Sequence, residues 1–281
     1  MDAVYRKHFA LPSTWRGDRI SLRFEGVYKT AHVCINGALV KTYGGSAGTG
    51  GWSAEAYTEF EVRLDNVTSV SFTVPNVIAI YVNGDPGNEH WYTGAGLYRS
   101  VQLVRTRHIH VDPLATYFPA VVGTDIHTGK NSHVLATVHP ILCLVNDGTE
   151  TVPVDVLIRI FDSSHQLVSK ASSIVTIAAA STSSTTLSGI IVPSPVLWSI
   201  QNPYLYSVRT DLMHSVTGEL LDSFTRTLGI RSVRWDYDSG FYLNDRNVKL
   251  RGFCHHDSFT GVGMALPSIR FDVIRKCNGK K

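Results

Sequence analysis

The sequence predicts a mainly β protein, with two β-sandwiches in series followed by the opening β/α piece of a third part. Three observations carry this expectation. Many short segments alternate polar and apolar residues, which turns one set of side chains to a core and the other to solvent. Turn-forming residues separate these segments, most clearly Asn36-Gly37 and Asn146-Asp147-Gly148. A helical repeat shows only late, after Pro267, at Ile269, Val273 and Ile274.

Taken in order, Arg19–Phe24 and Ala31–Ile35 alternate as half-buried strands, and Asn36-Gly37 turns the second of them into a hairpin. The run Asn76–Val82 is more continuously apolar, as expected of a strand covered on both faces. Residues 1–105 form one sandwich on this reading. A second strand series follows at His133–Val145, Val152–Phe161, Gln166–Ile177, Ser183–Val192 and Tyr204–Met213, a spacing that fits an immunoglobulin-like sandwich over 106–232. Ala178–Thr186 is rich in Ser and Thr and poor in large apolar groups, and reads as a loop inside that domain. In 233–281, Gly240–Asp245 and Val248–Phe253 make a hairpin leading into a strand, and the helix follows. One strand and one helix cannot close a barrel, so the chain from about Phe241 onward is expected to be poorly packed.

Composition narrows the function classes. With 281 residues, 43% of them apolar, the chain can bury large cores. Its formal charge of +3 comes without a clustered basic run, which leaves no nucleic-acid footprint. The four cysteines, Cys34, Cys143, Cys254 and Cys277, show no CxxC spacing, so neither a zinc site nor a disulfide scaffold is expected. No apolar run of about 18 residues is present to cross a membrane. Residues 1–20 carry Arg6, Lys7, Arg16, Asp18 and Arg19 with no apolar core between them, so no export signal is read and a cytoplasmic location is expected. No metal and no cofactor are expected.

Several residue groups invite a chemical reading. In His255-His256-Asp257-Ser258, adjacent residues on a strand point to opposite faces and cannot converge on one atom, which argues against a self-contained triad or metal site. Gly44–Gly51 lacks the lysine and the following helix of a phosphate loop, and reads as a surface turn. Trp52 and Tyr57 could stack on the C–H face of a sugar, with core packing the commoner use of such residues.

Three separated stretches, in this order, resemble the glycoside hydrolase family 2 enzymes, which include β-galactosidases, β-glucuronidases and β-mannosidases. Tyr5–Phe9, Leu22–Val27, Ile35-Asn36-Gly37 and above all Trp91–Arg99 look like that family's sugar-binding jelly roll. Leu197-Trp198-Ser199, Asn202–Tyr206 and Gly229-Ile230-Arg231 are similar to its immunoglobulin-like domain. Phe241–Asn244 with Leu250–Asp257 looks like the first strand of its catalytic (β/α)₈ barrel, here truncated. The closest pattern is that of the β-galactosidase-like members.

The resemblance implies a retaining O-glycosyl hydrolase of terminal β-glycosides, with a carbohydrate as partner and a homo-oligomer left open. It implies a sugar contact for His256, with Asp257 beside it, and a substrate-selecting loop at Glu89, His90 and Trp91; Tyr98 and Arg99 read as packing groups, Arg99 beside a carboxylate. Trp198 reads as a pin of the second sandwich. Retaining catalysis needs two carboxyl groups about 5 Å apart. Nothing in the chain matches the family's two catalytic glutamates, so no catalytic residue is assigned and the chain alone is expected to be inactive. The alternative is a carbohydrate-binding or interaction module without catalysis.

Overall fold

The computed structural model describes residues 2–44, 57–84, 96–124 and 134–252, with Gly263 and Ala265. These fall into two compact units that divide after Arg105.

The first unit is built from β1 (Asp2–Phe9), β2 (Arg19–Phe24), β3 (Val27–Tyr28), β4 (Thr30–Ile35), β5 (Ala38–Tyr43), β6 (Phe60–Arg63), β7 (Asn76–Asn83), β8 (Gly96–Leu97) and β9 (Val101–Thr106). One sheet runs β1-β7-β4-β5, a second β6-β2-β9, and β3 pairs with β8. The core between them is filled by alternate residues: Ile20, Leu22 and Phe24 from one sheet meet Val33, Ile35 and Ile80 from the other. The intervening residues of β2 turn outward, where Arg19, Ser21 and Arg23 converge on Glu61 of β6. Burial pushes the Glu61 carboxyl up, but the Arg23 hydrogen bond and the charges of Arg19 and Arg23 outweigh it and hold its pKa below the usual range.

The Asn36-Gly37 turn forms as expected, with φ of 50° and 85°. Asn36 also reaches across the unit, its Nδ2 donating to Asn76 Oδ1 at 2.9 Å and its Oδ1 accepting from the Val77 amide at 2.7 Å. The expectation that β7 is covered on both faces is corrected: its burial alternates, and Tyr81 is 36% exposed. Its outward Val77 and Tyr81 carry the β propensity of a central strand without being enclosed.

The second unit comprises β10 (Ile109–Val111), β11 (Ala120–Thr124), β12 (Val134–Val138), β13 (Ile141–Asn146), β14 (Val152–Phe161), β15 (Leu167–Ile177), β16 (Ser181–Thr186), β17 (Ile190–Pro193), β18 (Tyr206–His214) and β19 (Leu220–Leu228). A four-stranded sheet, β15-β14-β18-β19, faces two three-stranded ones, β10-β13-β16 and β11-β12-β17. Val154, Val156, Ile158 and Ile160, the inward set of β14, are buried against Leu142, Leu144, Val208 and Leu212.

Two sequence expectations fail here for physical reasons. The segment read as a loop, Ala178–Thr186, contains β16, which pairs antiparallel with β13 from Ile141↔Thr186 to Asn146↔Ser181. Ser and Thr alternate in exposure along it, so β-branched threonines and ladder hydrogen bonds override the lack of large apolar groups. The stretch His133–Val145 is two strands, because His139-Pro140 breaks the ladder between β12 and β13.

After Ser232 the chain forms β20 (Val233–Asp236), β21 (Gly240–Leu243) and β22 (Arg246–Asn247), a small sheet in that order. Gly240–Leu243 pairs on both sides, with β20 upstream and with the short β22 downstream, and the expected downstream strand Val248–Phe253 does not form over its described residues 248–252. Poor packing from Phe241 is corrected only at the start of this stretch, where Leu243 is buried and Asn244 accepts from the Ser232 amide and donates to the Trp198 carbonyl, both at 3.0 Å; from Asp245 to Gly252 every residue but Val248 is exposed. Trp198 lies against Gly229, where an added Cβ would stand 3.2 Å from the ring, and its amide donates to Ile230. It is a structural pin, with Arg231 over its other contact surface at 4.8 Å. The late helix expected after Pro267 lies outside the described residues.

Asp211 of β18 is buried on the outer side of the four-stranded sheet, its carboxylate accepting from Arg159, from Arg209 Nε at 2.9 Å and from Ser223 Oγ at 2.6 Å. Burial pushes its pKa up, while the bonds from Ser223, Arg209 and Arg159 bring it below the ordinary value. A depressed folded-state pKa stabilises above the unfolded value of about 4 and is lost as pH falls through the folded one. Urea denaturation across pH 2–7 is therefore expected to show Asp211→Asn less stable than wild type at neutral pH, with the gap closing below about pH 4. Ile158→Ala, at a position 1% exposed, is expected to cost about 2–5 kcal/mol at all these pH values.

Candidate functional site

The five residues singled out in the sequence, Glu89, His90, Trp91, His256 and Asp257, all lie outside the described residues, as does Trp52. What the structure describes is the ground on which the Trp91–Arg99 block ends. β8 pairs with β3, Val27 opposite Leu97 and Tyr28 opposite Gly96. Gly96 has φ of +107°, and a Cβ there would sit 2.3 Å from the Tyr5 hydroxyl. Only glycine meets both demands. The Tyr5 hydroxyl in turn accepts from the Leu97 amide at 3.3 Å, so β1 holds the end of this block in place.

Tyr98 follows immediately and lies over the backbone of Gly26, where a Cβ would approach its ring to 2.6 Å. Burial pushes the Tyr98 hydroxyl pKa up. Arg99 packs beside it, its guanidinium 6.0 Å from the Tyr98 ring, and makes no ion pair among the described residues, contrary to the carboxylate partner expected for it. Tyr57 completes the group. Its ring lies 5.4 Å from that of buried Tyr28 and 6.2 Å from that of Tyr98. Expected in the core, Tyr57 is instead 51% exposed, resting on buried Tyr28. The result is an aromatic wall, anchored in the core and open to solvent at Tyr57.

Such a wall can hold the apolar face of a pyranose; it holds no acid and base. Among the described residues, the carboxyls whose pKa values the surroundings move, Glu61, Asp65, Asp211 and Asp236, are all moved down by hydrogen bonds and arginine charges that outweigh burial where burial opposes them. A glycosidic general acid needs the opposite shift. Among the described residues no group of three or more His, Cys, Asp or Glu is placed to hold a metal ion. Sequence reasoning marked Tyr57 but placed it inside, and missed Tyr28; the adjoining Gly26 was the signal available, since a glycine inside a strand pattern marks a close approach by another group.

The described residues thus form two antiparallel sandwiches, the first carrying an aromatic platform at Tyr28, Tyr57 and Tyr98. The model of the family "Glycosyl hydrolases family 2" matches residues 122–231. The chain is 31% identical over 265 residues to the β-galactosidase BoGH2A of Bacteroides ovatus, covering 93% of this chain and 28% of that protein. It is 29% identical over 280 residues to a β-glucuronidase of Formosa agariphila, covering 94% and 27%. Among solved structures, a glycosyl hydrolase family 2 member from Bacteroides cellulosilyticus superposes with a TM-score of 0.84 at 28% identity, covering 99% of this chain and 33% of that one. A Bacteroides uniformis β-glucuronidase gives 0.77 at 25% identity, covering 97% and 32%. The chain thus spans less than a third of the length of those two curated relatives.

The close approach at Gly96 makes a sharp prediction. Gly96→Ala is expected to lower stability by about 1–3 kcal/mol through backbone strain, with a further loss from collision with Tyr5. Removing the collision in Tyr5→Ala/Gly96→Ala is expected to make the two changes less than additive, as a double-mutant cycle by thermal denaturation would show.

Proposed function

We propose that this polypeptide serves the hydrolysis of terminal β-glycosides by a retaining, β-galactosidase-like enzyme, as the section that frames and contacts the sugar, with the two catalytic carboxyls supplied from elsewhere. The observation that carries this is the match of nearly the whole chain to the front third of family 2 glycosidases, together with an exposed aromatic platform and arginine-bound carboxyls. In this role Tyr57 offers its face to the C–H surface of a sugar, and Tyr28 and Tyr98 fix its tilt. Loss of the two acidic groups from such a mechanism leaves binding without bond cleavage.

Purified 281-residue chain is expected to bind a β-galactoside and not to hydrolyse nitrophenyl β-galactoside or β-glucuronide. Tyr57→Ala is expected to weaken binding about fivefold, the scale of roughly 1 kcal/mol for an aromatic contact. Turnover by the chain alone would overturn the assignment, and glycan-array binding unaffected at Tyr57 would move the sugar contact away from this wall.

A further inference from the structure

The outer face of the four-stranded sheet in the second unit carries a charge arrangement that its own fold does not require. In register, Lys170 of β15 stands opposite Arg159 of β14, and Arg159 stands opposite Arg209 of β18. Three cations thus occupy neighbouring positions on three adjacent strands, with about 5 Å between strands. Directly opposed like charges disfavour a sheet. Asp211, the carboxylate that both arginines share, is 4% exposed and already accepts from Ser223 as well. Asp155, outward on β14, is engaged by Ser215 Oγ at 2.8 Å, and Asp222 of β19 accepts from the Val111 amide. Lys170 is exposed and in no ion pair among the described residues, and Arg159 Nε is buried without a hydrogen-bond partner. Thr225 of β19, opposite Arg209, and Ser172, two residues along from Lys170, add exposed hydroxyls at the two ends of the row.

We propose that this row binds an anionic sugar, a pyranose bearing a carboxylate or a sulfate, laid across β15, β14 and β18. Guanidinium groups pair with planar or tetrahedral oxyanions through two N–H bonds, and the lysine ammonium adds a mobile point charge. The hydroxyls of Thr225 and Ser172 suit the remaining hydroxyls of the ring. A row two strand spacings long, with three cations against one buried carboxylate, is too short for a nucleic acid, whose affinity accumulates over some 6–10 phosphate contacts. The choice of a sugar among small anions rests on the carbohydrate reading given above. The site lies in the second unit and is separate from the aromatic wall.

The test is calorimetric titration of the 281-residue chain with three oligosaccharides: oligogalacturonate, a sulfated galactan oligomer, and a neutral galactan oligomer. Lys170→Glu/Arg209→Gln is expected to weaken at least one charged oligomer tenfold or more while leaving the neutral one unchanged. The stronger of the two charged arms identifies the substituent. Lys170→Glu alone, at an exposed position outside the Asp211 network, is expected to weaken it at least threefold and keeps the test readable if the double variant unfolds. Charged oligomers bound equally by wild type and Lys170→Glu would overturn the proposal. So would inorganic sulfate bound as tightly as the charged oligomers. Binding of a neutral β-galactoside at Tyr57 is read in a separate titration, so failure here and failure of the proposed function are distinguishable.

Discussion

Burial with a period of two is the constraint on which the rest of this molecule depends. In β2, β4, β14 and β18 every second side chain is committed to a core, and these inward positions carry half of the largest fully buried side chains. Because a one-residue slip would exchange core and surface, the register of each strand is set by its own apolar residues. Chemistry is left with the outward positions and the ends of the sandwiches. The aromatic wall is anchored by one core residue, Tyr28, while the Lys170–Arg159–Arg209 row uses outward positions only.

This division explains what was legible in the sequence. Strands such as Arg19–Phe24 and Val152–Phe161 could be read because inward Ile, Leu, Phe and Val alternate with polar groups. The Asn36-Gly37 turn could be read because two successive residues at positive φ favour that pair. Ser181–Thr186 could not, since its stability comes from a ladder with Ile141–Asn146, more than 30 residues away, and its side chains are too small to advertise a core face. The fold class and the family were visible because they are carried by long alternating runs and by contiguous motifs.

The site was less legible for a related reason. Tyr57 is adjacent to Tyr28 and Tyr98 only through tertiary structure, and nothing in its local sequence tells whether it lies inside or outside. Likewise, Lys170, Arg159 and Arg209 are 11 and 50 residues apart along the chain and meet only through antiparallel register. Single-sequence charge counting saw no basic run, correctly, while the sheet assembles one across strands.

The amide of Asn244 closes a joint. It grips the Trp198 carbonyl on one side and Ser232 on the other, so the aromatic ring, the Gly229–Ile230 backbone and the following small sheet move as one piece. Anyone dissecting this polypeptide into separately expressed modules should therefore place the cut beyond Gly252. A boundary drawn before Val233, where the sandwich strands end, would uncap the tryptophan carbonyl and leave the second module with a frayed seam.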